Sequence, residues 1–155
     1  MTFIEYMYAL ERTTFLNSSV YIIPAFNLVH LLSMAAFMGA LWMVDLRLLG
    51  GALTRRPIAD VARDAKPWLM TGLMGLVVTG IPAFMQTASG QVKNPVFHTK
   101  MAVLVVALFF TFVVRRRLTQ ADEARVNPIW FKLAAVVSIL LWVTVATSAR
   151  LIMLL

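Results

Sequence analysis

The sequence predicts an all-α integral membrane protein, an antiparallel four-helix bundle preceded by a short interfacial helix, and three observations predict it. Of its 155 residues, 61% are hydrophobic, outside the usual range of soluble domains. Four apolar segments are each long enough to cross about 30 Å of hydrocarbon, which takes roughly 20 helical residues. The basic residues collect at the ends of those segments rather than inside them. A single membrane domain over residues 1–155 follows, with no internal repeat.

The N-terminal residues Ile4, Met7, Tyr8 and Leu10 suggest the interfacial helix, and Glu5, Glu11 and Arg12 interrupt the stretch too early for a secretory signal peptide. The first span runs from about 20 to 44, with Pro24 in its opening turn. A short surface helix is expected over Pro57–Lys66, where Asp60 and Asp64 lie beside Arg56 and Arg63. The second span, about 67–87, carries Pro82, which should kink its far end. The third covers about 95–114 and the fourth about 128–155. Prolines at or near the starts suit a first helical turn, where a missing N–H costs little.

Ten of the fourteen Lys and Arg residues fall in the loops after the first and third spans: Arg47, Arg55, Arg56, Arg63, Lys66, Arg115, Arg116, Arg117, Arg125 and Lys132. Arg12, Lys93, Lys100 and Arg150 lie toward the other face. The positive-inside rule then makes the two loops cytoplasmic and puts both termini outside. This placement makes the lipid bilayer the partner of the basic residues, and no nucleic acid is expected despite the net charge of +7. Cysteine is absent, so disulfides, iron–sulfur clusters and thiolate-ligated haem are excluded. Any redox role needs a borrowed cofactor.

The only two histidines, His30 and His98, each stand 17 residues before an arginine, Arg47 and Arg115, that closes an apolar run. At 1.5 Å of rise per residue each imidazole is roughly 25 Å from the same face, so on two parallel spans they share a level in the outer half of the membrane. First and third helices of an up-and-down bundle are diagonal neighbours, roughly 11 to 14 Å apart, which leaves room for a haem plane between two imidazoles. Both histidines are therefore read as metal ligands to haem b. The competing readings are a structural hydrogen bond to a neighbouring helix for His30 and an ordinary interfacial residue for His98.

Arg150, 18 residues after Lys132, returns to about the same level and is suited to a propionate; the alternative is snorkelling at the helix end. Lys100 points about 200° away from His98 and is a weaker candidate for that contact. Thr71, Gly75, Thr79 and Ala83 form a small-residue stripe where a macrocycle, a neighbouring helix or a second copy of the chain could approach closely, so a homo-oligomer is compatible with it. Met34 and Met38 follow His30 at i+4 and i+8, and imidazole with thioether also suits Cu(I), which makes copper the alternative metal. Asp45 and Arg47 read as a local pair or anchor, and Asp122 and Glu123 as loop residues. No nucleophile with a positioned base and no phosphate loop is present, so whether the chain is an enzyme is left open, with any chemistry belonging to the cofactor.

The stretch His30-Leu-Leu-Ser-Met-Ala-Ala-Phe-Met-Gly39, the run Val44-Asp45-Leu46-Arg47-Leu48-Leu49-Gly50, and Asn94-Pro95-Val96-Phe97-His98-Thr99-Lys100-Met101 resemble an uncharacterised family of bacterial four-span membrane proteins. More distantly they are similar to HemJ-type protoporphyrinogen oxidases and to the CopD-type copper-resistance domain. The HemJ resemblance implies a haem ligand at His30 and a functional role for His98 or Lys100. After the arginine this chain has Leu48, Leu49 and Gly50, where that family carries aromatic and histidine residues. The resulting expectation is a b-type haem protein in electron transfer, with a quinone or an outer-face redox protein as partner. A HemJ-like porphyrinogen oxidase, a copper-handling protein and a cofactor-free assembly subunit are the alternatives.

Overall fold

A computed structural model describes residues 5–6, 8–9, 21–121 and 123–154, with side chains followed as far as Ala149. The described residues are mostly helical and contain no strand. The helices are α1 (Ile22–Leu49), α2 (Ile58–Gln86), α3 (Ala88–Lys93), α4 (Pro95–Phe109), a π-helical turn (Phe110–Arg115), α5 (Arg116–Gln120) and α6 (Pro128–Leu154). Four helical stretches are long and apolar enough to cross a membrane, Ile22–Leu49, Ile58–Gln86, Pro95–Gln120 and Pro128–Ala149. The all-α, four-span reading holds.

Local chemistry sets the boundaries. Pro95 and Pro128 are the first residues of α4 and α6, as their fixed φ favours. Asn127 caps α6, its Oδ1 accepting from the Ile129 N–H at 3.1 Å. At the end of α1, Gly50 takes φ 79°, and the N–H groups of Gly50 and Gly51 return to the carbonyls of Arg47 and Leu46. This pair of bonds is a Schellman termination, which needs a residue at ease in the left-handed region.

Two expected boundaries differ. Pro57–Lys66 is no separate surface helix but the opening of α2, because Ile58, Val61, Ala65 and Leu69 continue one buried face straight through Pro67. The ion pairs Asp60–Arg63 and Asp64–Arg56 do form there, on exposed side chains. The third span continues to Gln120 rather than stopping at Val114, and it changes winding on the way. Most of the proposed N-terminal interfacial helix lies outside the described residues. Of its parts, Tyr8 receives a contact from Lys93, whose Nζ is 3.3 Å from the hydroxyl and 5.4 Å from the ring centroid.

The chain divides into two compact units. The first combines residues 1–38 with 68–95. Here α1 and α2 run antiparallel and very close: a Cβ added at Gly72 would meet the Phe37 backbone nitrogen at 2.6 Å, and one at Gly75 would meet Ser33 Cβ at 2.8 Å. Such proximity needs glycine at both places, the usual device for packing helices where no hydrophobic effect drives them together. The stripe predicted over Thr71, Gly75, Thr79 and Ala83 is thus only half right. Thr71 and Ala83 are exposed, and the packing face is Gly72, Gly75 and Thr79.

The second unit combines residues 39–67 with 96–155. Its core includes Leu41, Val44, Leu48, Ile58, Val61, Ala107, Phe131, Ala135 and Trp142. The helix that crosses here buries Ala107, Thr111, Arg115 and Thr119 at four-residue intervals. In an α-helix at 100° per residue those four positions would drift around the axis by about 120°. Six residues wound at roughly 82° each, as i+5 bonding implies, cancel nearly all of that drift. The π turn keeps the four side chains on one face.

Candidate functional site

In the first unit, His30 on α1 reaches Thr79 on α2, with Nδ1 and Oγ1 2.7 Å apart. The Thr79 hydroxyl has one proton, and it is directed to the Gly75 carbonyl at 2.6 Å. Oγ1 therefore accepts from His30, which places a proton on Nδ1. Thr79 is buried and the His30 ring is half-buried, lying against Gly80, where an added Cβ would be 3.8 Å from Cε1. The helix-to-helix bond foreseen as an alternative for His30 is present.

In the second unit, His98 is exposed on the first turn of α4, its ring edge-on to Phe97 with centroids 6.0 Å apart. Lys100 is half-buried on the same helix. Arg150 lies in α6, but its side chain falls outside the described part. Met34 and Met38 are half-buried on α1. Among the described residues no three His, Asp or Glu side chains come together as a metal site. A haem with two axial imidazoles would need only two.

The strongest polar constellation was missed from the sequence. Asp45, on α1, is fully buried, and the Nε–H of Arg115 donates to its Oδ1 at 2.8 Å. Ser138 on α6 donates to Oδ2, also at 2.8 Å, and an Nη2 hydrogen of Arg115 reaches the Leu41 carbonyl at 2.8 Å. Three helices are joined by one carboxylate. A second bond runs from the Trp142 indole N–H to Thr111 at 3.0 Å, one turn away along both α6 and the π segment.

This arrangement corrects two expectations. Asp45 and Arg47 are not a local pair, because residues two apart on a helix point about 200° from each other. Arg47 instead bonds to Glu123 at 3.1 Å and to the Arg56 carbonyl at 2.7 Å. Arg115 is not the solvated marker of a membrane face but a core residue, 4% exposed, level with Leu41 and Asp45. Arg47 and Arg115 are therefore not equivalent rulers, and the equal 17-residue counts lose their common origin.

Glu123 completes this end of the unit. One carboxylate oxygen pairs with Arg47 and the other accepts from the Ile58 N–H at 2.5 Å, so a residue from the α5–α6 loop caps α2. The loops after α1 and α5 are thereby held together. Every buried side-chain nitrogen and oxygen among the described residues has a partner.

No curated protein and no solved structure matches the chain. Residues 11–154, nearly its whole length and including both histidines and the Asp45, Arg115 and Ser138 network, match the model of a family of unknown function, DUF6644, and the chain belongs to that family.

Proposed function

We propose that this protein is a b-type haem-binding electron carrier of the bacterial cytoplasmic membrane, with both termini on the outer face. The observation that carries the reading is the orientation of His30. Its Nδ1–H is directed to Thr79, whose own proton is directed to Gly75, and this bond orients the ring as the second hydrogen bond of a metal-ligating histidine does. Histidine ligands of metals are commonly held in this way, and the hydrogen bond raises their basicity.

His30 is the residue whose chemistry fits the group. On the sequence reading, His30 and His98 would hold the iron, and Arg150 and Lys100 would neutralise the propionates. When bound, haem supplies one-electron redox chemistry; the partner proposed for it is a quinone or a redox protein at the outer face. Thr79 fixes the imidazole against rotation, and the close α1–α2 contact at Gly72 and Gly75 fixes Thr79.

The test is the reduced-minus-oxidised absorption spectrum of the full chain, purified from cells supplied with haem. A b-type spectrum that is lost in His30→Ala and altered in His98→Ala is the expected result. A colourless wild-type protein would end the proposal. Copper without iron in a metal analysis would turn the reading to copper handling, and rescue of a strain lacking protoporphyrinogen oxidase would turn it to a HemJ-like enzyme.

A further inference from the structure

Ion pairing sorts the ten basic residues of the loop-bearing end into two groups. Arg47, Arg56, Arg63 and Arg115 are each neutralised by a carboxylate, those of Glu123, Asp64, Asp60 and Asp45. Arg125 has interactions of its own. Arg55, Lys66, Arg116, Arg117 and Lys132 are all exposed, and none pairs with an acidic side chain among the described residues. All five belong to the second unit, and the bonds made by Glu123 hold their two loops at one end of it.

Their surroundings identify the partner. Lys132 shares a helix face with Ile129, 56% exposed, and Val136, 44% exposed; Arg117 shares one with Val114, also exposed. Both cations thus stand beside exposed apolar side chains, where a long basic side chain can keep its stem on apolar surface and its charge in water. A nucleic acid or an acidic protein matches the charges but leaves the apolar part uncovered. An anionic phospholipid presents a phosphate above acyl chains in the same vertical order.

We propose that Arg55, Lys66, Arg116, Arg117 and Lys132 form a binding surface for the headgroups of anionic phospholipids. The surface is independent of haem and would persist if the cofactor reading failed. Selectivity comes from the unpaired cations, since charges already matched by a carboxylate gain little from a phosphate.

The full chain is reconstituted in a Trp42→Phe/Trp68→Phe background, where Trp130, 60% exposed in the first turn of α6, reports on lipid around that end of the helix while Trp142 stays buried. Quenching by brominated phosphatidylglycerol is compared with quenching by brominated phosphatidylcholine. The anionic lipid should be preferred by about fivefold, falling toward parity in R116Q/R117Q/K132Q and unchanged in Lys93→Gln, at a site bound to Tyr8. Among the described residues these three side chains make no hydrogen bond or ion pair, so an unchanged helical spectrum should accompany the loss. Equal quenching by both lipids in the parent protein would overturn the proposal, as would a preference that survives the triple change. Displacement by inorganic phosphate as readily as by lipid would also overturn it, in favour of a soluble anion.

Discussion

Replacing Asp45 with alanine removes the acceptor shared by Arg115 and Ser138 while leaving both donors in place. The two partners of the ion pair are 0% and 5% exposed at the side chain, so solvent screens almost none of their interaction. Arg115 would keep its bond to the Leu41 carbonyl but would stand as an uncompensated buried charge, and Ser138 would lose its acceptor. Breaking a buried pair from one side costs about 3–5 kcal/mol. Removing both charges is a different perturbation, because each ion's desolvation cost vanishes together with the attraction. Asp45→Leu combined with Arg115→Met should therefore recover most of the loss, as apolar replacements of buried pairs often match or exceed the original. Ser138 can then turn back to a carbonyl of its own helix. Unfolding of the full chain by denaturing detergent, followed by helical circular dichroism, measures both changes. An Asp45→Ala protein within about 1 kcal/mol of wild type, or a double variant no more stable than the single one, would refute the reasoning.

Gly72→Ala should destabilise the protein by about 1–3 kcal/mol in the same assay, because the new methyl would lie 2.6 Å from the Phe37 backbone and α1 must shift to admit it. If His30 holds haem as proposed, Thr79→Val, with a nearly isosteric side chain, should leave the helix packing intact while weakening haem retention about 10- to 100-fold and raising the midpoint potential, read from a spectroelectrochemical titration. Glu123→Ala should cost no more than about 1 kcal/mol, since its carboxylate is 40% exposed, yet it should speed hydrogen exchange at the Ile58 amide that it caps.

The helices were legible because membrane burial leaves few alternatives for a long apolar run, and Pro95 and Pro128 mark their starts openly. Ile58, Val61 and Ala65 also announced the forward extension of α2 by their three- and four-residue spacing. Pro67 concealed it, since a proline suggests a new beginning. It is tolerated inside the helix because both it and Arg63, whose carbonyl loses a donor, lie on the exposed face. The ion-pair network was half legible. Helical geometry alone rules out Asp45 facing Arg47, but the partner of Asp45 is 70 residues away and stood in a run of three arginines that resembled an ordinary anchor. Its burial depends on a change of helical winding for which residues 110–115 carry no proline or glycine signal. For His30 the sequence supplied a place within an apolar span and the residue type, and the structure supplied its bond to Thr79.

The π turn also bears on how relatives of this protein should align. Deleting one residue between Phe110 and Arg115 and letting the stretch relax to ordinary α winding would return Thr119 to within about 20° of the face that Ala107 occupies. Family members are thus expected to differ there by a single-residue gap without disturbing the contacts on either side, whereas a gap of two would turn the arginine toward lipid. An alignment column that flickers between presence and absence at this place would record an insertion absorbed by the backbone, not a weakness in the family.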